Sequence, residues 1–223
     1  MDGKLLKQAL VKLLSGVLLV ALLLFPAAGT WRWPGAWRLM GVLFVPMAAA
    51  GVVMLRKSPE RLRRRLHMDE QEPEQRRVIA LSGLMFAVSF VLAGLDYRFQ
   101  WSCLPLWVST AACIVFLAGY GLFARVLREN EWLSRTVEVR QGQQVVDTGL
   151  YGLVRHPMYS ATLLLFLSMP LILGSLPALA VMLLYLPIIA ARIRNEEQVL
   201  DAGLPGYRDY RRRVKYRLIP FIW

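Results

Sequence analysis

Histidine and cysteine are scarce in this chain, with two of each among 223 residues. His67 and His156 stand far apart and no zinc-ligand spacing exists, so a metal site is not expected. Cys103 and Cys113 fall on one predicted helix, ~15 Å apart along its axis, too far for a disulfide. Acidic residues are also in short supply: 15 Asp and Glu stand against 27 Lys and Arg, for a net charge of +12. In a soluble protein that balance would point to nucleic acid, but no DNA or RNA recognition motif is present and no nucleic-acid partner is expected. The basic residues lie in loops between long apolar runs, where lipid orientation and anionic headgroups account for them. The runs themselves carry almost no charge, which argues against an ion path. At 57% hydrophobic residues and a mean hydropathy of +0.44, the chain is too apolar for an ordinary soluble domain.

Several runs reach the ~20 residues needed to cross a ~30 Å hydrocarbon core. They predict an all-α integral membrane protein of about six transmembrane helices, including a C-terminal helical hairpin, with cytosolic surface helices and a small β-hairpin. The first span covers about Leu5–Ala28, with Lys4, Lys7 and Lys12 ahead of its apolar run Leu13–Phe25. A basic start, an apolar middle and a small-residue end also describe a cleaved signal peptide, but a second span follows closely. Trp31, Trp33 and Trp37 form an interfacial cluster. The second span covers Ala36–Leu55 with Pro46 as a kink, the third Val78–Leu95, and the fourth Leu104–Leu127.

Between the second and third spans, residues 56–77 form a charged connector with a short surface helix. Asp96-Tyr97-Arg98 is a turn, and weak alternation over Val137–Val146 around Gly142 gives the β-hairpin. Ser160–Leu173 and Leu176–Ala191 are shorter runs joined at Gly174-Ser175 and interrupted by Pro170 and Pro187. They make a helical hairpin whose polar ends dip towards the membrane. Asn195–Tyr216 reads as an interfacial helix before the apolar end Leu218–Trp223. The chain thus divides into transmembrane helices over 1–130 and a candidate catalytic region over 131–223. Every Lys and Arg except Arg32, Arg38 and Arg98 falls on one side of this arrangement. That bias places both termini and the site in the cytosol.

Two polar knots bracket the hairpin. The first runs from Gly149 to Tyr159, and Pro157 suits the first turn of a helix, where its missing N–H costs nothing. Arg155 and His156 therefore sit at a helix N-terminus, which favours an anionic group. The second knot is Arg192-Ile193-Arg194-Asn195-Glu196-Glu197. Each piece also has a plainer reading. Arg155 and Arg192 serve as positive-inside flanks, the Glu pair as solvated residues, His156 as a helix-start residue, and Tyr207 and Tyr210 as interface anchors.

Taken in order, Gly149-x-Tyr151, Arg155-His156-Pro157-x-Tyr159, Glu196-Glu197 and Tyr207-x-x-Tyr210 ahead of Leu218-Ile219-Pro220 resemble the isoprenylcysteine carboxyl methyltransferase family and its phospholipid methyltransferase relatives. The likeness covers roughly residues 130 to 223, and Leu95-Asp96-Tyr97-Arg98 is similar to bacterial members. Ala161 departs from the family's usual Gly, adding a Cβ where close backbone approach is the rule.

The resemblance implies methyl transfer from S-adenosylmethionine to an acceptor that arrives through the bilayer. It implies a cofactor pocket lined by Tyr151, Arg155, His156, Pro157, Tyr159, Glu196 and Glu197. Arg155 and His156 would hold the carboxylate, either Glu the amino group or ribose hydroxyls, and Tyr151 and Tyr159 would wall the adenosine. Which Glu faces the cofactor stays open, because adjacent helix positions point about 100° apart. As catalytic candidates, Arg192 or Arg194 would steer an anionic acceptor, and Glu197 or its neighbour would serve an amine. A carboxylate or thiolate acceptor needs no general base, whereas an ammonium must first lose a proton. An isoprenylcysteine-type carboxylate, a phospholipid amine and a small thiol all remain open as acceptors. Two other readings stand beside this one: a membrane reductase of the sterol-reductase type using NADPH, and a transporter or scaffold without chemistry.

Overall fold

Apolar length decides most of the architecture. A computed structural model describes residues 3–66, 73–133, 139 and 141–223. Every regular element among the described residues is helical. Helices α1 (Gly3–Ala28), α2 (Pro34–Lys57), α3 (Pro59–Leu66), α4 (Pro73–Phe99) and α5 (Leu106–Glu129) come first. They are followed by α6 (Pro157–Leu173), α7 (Leu176–Met182), α8 (Tyr185–Gly203) and α9 (Tyr207–Arg213). Helices α1, α2, α4 and α5, and the nearly continuous α7–α8 run, are long and apolar enough to cross a membrane; α6 is apolar but shorter. The chain is an all-α integral membrane protein.

Close backbone approach sets two of the helix contacts. A Cβ on Gly94 of α4 would lie 2.6 Å from the Ala27 Cβ of α1, and one on Gly119 of α5 would lie 3.1 Å from Leu165 of α6. Leu24, Phe25, Ala93, Phe116, Met169 and Ile172 fill the core that these approaches create. A second cluster joins Tyr159 and Leu163 of α6 to Met85 of α4, and to Met182, Tyr185 and Ile189 of α7 and α8. With 17 residues, α6 is only ~26 Å long. Its first turn shares that apolar cluster with Met85 of α4.

Polar contacts tie each end of the bundle. At one end Trp33 stacks on Tyr97, with ring centroids 4.9 Å apart. Both oxygens of buried Asp96 accept from Ser102, through its N–H and its hydroxyl, each at 2.7 Å. Ser102 Oγ in turn accepts from the Leu176 N–H at 3.1 Å. The other end holds Leu5 of α1 and Leu62 of α3, both buried, and the polar knots. Gly174, at φ +81°, caps α6. Ser175 then opens α7 by accepting from the Ala178 N–H.

Four expectations are corrected in detail. No strand occurs at residues 139 and 141–146; the rest of the expected β-hairpin, like His67, lies outside the described residues. The alternating valines there serve another purpose, since Val139 and Val145 pack on Leu204, Tyr207 and Tyr210. The Asp96-Tyr97-Arg98 turn is the last turn of α4, kept helical because Ser102 folds back to satisfy Asp96. Pro105 delays α5 to Leu106, leaving Cys103 outside that helix. Finally, α8 continues through the Glu pair to Gly203, and the chain breaks at Pro205-Gly206, where Gly206 takes φ +83°. The expected single interfacial helix is thus the end of α8 plus the short α9.

Candidate functional site

Pro157 fixes the start of α6 and leaves His156 as its N-cap residue. The chain ahead of it is held by a 3-10 turn, Gly149–Gly152. The Leu150 N–H donates to Glu129 Oε2 at 2.7 Å, and Arg125 braces that carboxylate at 2.8 Å. Gly149 sits at φ +59°, and a Cβ there would lie 2.6 Å from the Glu129 carboxylate. Only glycine accommodates both the left-handed backbone and that approach.

From this turn, Arg155 and His156 run alongside the tail. Their backbone N–H groups donate to the Tyr216 and Arg217 carbonyls, each at 2.9 Å. Ser160 Oγ donates to the Leu218 carbonyl at 2.6 Å. The Trp223 backbone oxygen accepts from the N–H groups of Arg217, Leu218 and Ile219, closing the tail on itself.

Glu197 lies beneath this junction, 3% exposed. Its Oε1 accepts from Arg155 Nε at 2.7 Å and sits 3.2 Å from His156 Nε2. Its Oε2 faces Arg217 Nε and Nη2 at 3.1 Å. Arg155 Nη1 donates to the Val214 and Lys215 carbonyls at 2.8 and 2.9 Å. A carboxylate between two guanidinium groups stays ionised and can only accept, so His156 carries its proton on Nε2. That leaves Nδ1 turned towards Glu196, 4.0 Å away.

Above this buried network lies a cavity of ≈ 100 Å³. Its lining includes the polar group His156, Tyr159, Arg192 and Glu196, the apolar group Val145, Leu200, Leu204, Tyr207 and Tyr210, and the amides of Asn130, Gln143 and Gln144. In the polar group the Tyr159 hydroxyl donates to Glu196 Oε2 and accepts from Arg192 Nε at 2.9 Å. The His156 ring lies over Tyr159, with centroids 5.8 Å apart.

Of the expected site residues, Tyr151, Arg155, His156, Tyr159, Arg192 and Glu196 come together around the cavity. Pro157 is buried in the first turn of α6 and does not line it. Glu197 is not a wall residue; both its oxygens face cationic groups below. Of the two glutamates, Glu196 lies on the cavity and Glu197 under it. Arg194 is exposed and away from the cavity, as a position about 200° around the helix from Arg192 must be. Among the described residues, no group of three or more His, Cys, Asp or Glu could hold a metal ion.

Residues 106–204, from the start of α5 to the end of α8, match the family model described as phospholipid methyltransferase. The match makes this segment similar to that family. Within it fall both polar knots and the whole hairpin; α9 and the tail follow it. A mouse Delta(14)-sterol reductase, TM7SF2, is 31% identical over 157 residues, covering 64% of this chain and 37% of the relative. The cobalt-zinc-cadmium resistance protein CzcN of Cupriavidus metallidurans is 33% identical over 129 residues, covering 57% of each chain. A Delta(14)-sterol reductase of Methylotuvimicrobium alcaliphilum is 24% identical over 135 residues, covering 54% of this chain and 32% of the relative. The chain therefore spans roughly a third to three fifths of the length of these curated relatives.

Sequence reasoning placed Tyr207 and Tyr210 at the membrane interface. They are instead buried and line the cavity. The Tyr210 hydroxyl donates to the Tyr151 carbonyl at 2.8 Å, binding α9 to the 3-10 turn. Burial, above all, pushes both hydroxyls well above the ordinary phenol range, aided for Tyr207 by the neighbouring Glu197 carboxylate. The signal available in the sequence was their spacing: residues three apart share one helix face, and here that face is flanked by Arg208, Arg211 and Arg212 pointing elsewhere.

Proposed function

We propose that this protein is an integral-membrane S-adenosylmethionine-dependent methyltransferase, with its site at the cytosolic end of the hairpin formed by α6, α7 and α8. The observation that carries this reading is the split character of the cavity. A cation, a carboxylate and an imidazole gather around the Tyr159 ring and hydroxyl (Arg192, Glu196, His156), and a packed group of aromatic and aliphatic side chains, Leu200, Leu204, Tyr207 and Tyr210, lines the same cavity. A molecule with a zwitterionic amino-acid end and a planar neutral base fits that division. The family match over residues 106–204 supports it independently.

When bound, the cofactor supplies an electrophilic methyl group on a sulfonium. The chain supplies position and dryness, which dominate the rate of such a displacement. Arg192 and Glu196, cross-linked through the Tyr159 hydroxyl, offer opposite charges to the two ends of an amino-acid group. His156, its Nε2 proton engaged by Glu197, presents Nδ1 to the same space. Arg155 and Glu197 act from below by fastening the tail at Val214, Lys215 and Arg217. Because ≈ 100 Å³ is below the ~300–1,000 Å³ of small-molecule sites, binding displaces part of the wall, and the non-helical segment 141–148 forms that side. The acceptor is lipid-like or reached through the membrane, a reading supported by the apolar cluster that Tyr159 shares with Met85 of α4. The basic residues gathered at the same end of the bundle favour a cytosolic site and cytosolic termini.

The likeness to the mouse sterol reductase favours a second reading, a reductase using NADPH. Calorimetry in detergent separates the two. S-adenosylhomocysteine should bind saturably, about tenfold or more weakly in His156→Ala and Glu196→Gln, while NADPH gives no heat. Binding of NADPH without S-adenosylhomocysteine would replace the methyltransferase reading by the reductase one.

A further inference from the structure

One cavity residue has an unanswered polar atom. Tyr207 is 4% exposed, and its hydroxyl is buried without a hydrogen-bond partner among the described residues. Its ring packs with Leu204, Tyr210 and Val214 in the apolar cluster over which Val145 and Leu200 close. A buried hydroxyl left unpaired costs on the order of 1–3 kcal/mol, and phenylalanine would fill the same space without that cost. Tyr210, three residues on, has the same burial, yet its hydroxyl is spent on the Tyr151 carbonyl. The two tyrosines therefore differ in the one respect that matters: one closes the protein on itself, and the other leaves a buried hydroxyl unused on a residue that lines the cavity.

We infer that the Tyr207 hydroxyl is a ligand contact, pairing with a neutral polar group on the nucleoside portion of the bound molecule. This rests on the proposed cofactor site and deepens it. The nucleoside end is assigned because the Tyr207 ring packs among apolar side chains, with Leu204, Tyr210 and Val214, whereas the opposite charges that suit an amino-acid end, Arg192 and Glu196, are joined through the Tyr159 hydroxyl. A neutral hydroxyl in an apolar wall suits a base or ribose group, not a charge. A site that hydrogen-bonds a ligand in this way discriminates strongly against an analogue lacking the partner group.

The test is Tyr207→Phe in the full chain, in detergent with lipid, measured by calorimetry and thermal unfolding. Two probes are used: S-adenosylhomocysteine, and 5′-methylthioadenosine, which keeps the nucleoside and lacks the amino-acid end. The expected result is a loss of about 5- to 100-fold in affinity for both probes, with the ligand-free melting temperature unchanged or raised. A merely structural tyrosine would instead lower the melting temperature and leave affinity alone, which overturns the inference. A loss confined to S-adenosylhomocysteine overturns the nucleoside assignment. Unchanged affinity for both probes, with wild type binding normally, overturns the contact while the proposed cofactor stands. Failure of wild type itself to bind S-adenosylhomocysteine removes the cofactor reading and this inference together.

Discussion

Two adjacent glutamates on α8 do different work, and the difference is one of charge balance. Glu197 neutralises Arg155 and Arg217 in a buried setting and orients His156. Removing one partner of a buried ion pair leaves uncompensated charge and costs about 3–5 kcal/mol. Glu197→Gln should therefore lower the melting temperature sharply and release the tail, read as faster proteolysis after residue 213. Glu196 is partly open, with 22% side-chain exposure, and its partners are a hydroxyl and an imidazole. Glu196→Gln should leave the melting temperature nearly unchanged while weakening S-adenosylhomocysteine. Equal thermal effects from the two substitutions would contradict the division of roles. Arg155 is likewise irreplaceable by lysine: its fork reaches Glu197 and two carbonyls at once, and a single ammonium lacks that geometry.

Among the elements, the 3-10 turn is the hinge between α5 and the site, and it depends on one glycine. Gly149→Ala forces a Cβ into the left-handed region and against the Glu129 carboxylate, a strain of about 1–3 kcal/mol. The variant should melt lower and bind S-adenosylhomocysteine more weakly. Combining it with Glu129→Ala should restore part of the loss, because the clash goes while the backbone strain stays; strict additivity of the two would show that no clash operates. The hairpin follows a similar logic. Leu183 and Leu184 form the break between α7 and α8, immediately before Pro187, whose absent N–H and fixed φ are tolerated in a first turn but not in a helix interior.

For the whole molecule, the two ends of the bundle carry different charge, and the cysteines report which side is which. Cys103 is exposed at the end away from the site, and Cys113 is half-buried on α5. In a Cys113→Ser background, a membrane-impermeant maleimide applied to intact cells should label Cys103, and labelling only after permeabilisation would reverse the proposed orientation.

The sequence by itself determined the membrane class, the long spans and the two polar knots, because apolar length and local turn chemistry are properties of short stretches of chain. It also grouped Arg155, His156, Tyr159 and Glu196 through the order of the motifs, and the four line one cavity. Only the tertiary structure decided which glutamate meets the cavity and which is buried beneath it, since that depends on how α8 is rotated against α6. Tyr207 and Tyr210 were legible as a pair but not as cavity walls, because their face is covered by residues 139 and 145, far away along the chain. Likewise Arg155 reads locally as a membrane flank, and only the returning tail supplies the carbonyls that make it a buried brace. Contacts between distant segments are fixed by packing, and packing is not written in any single stretch of residues.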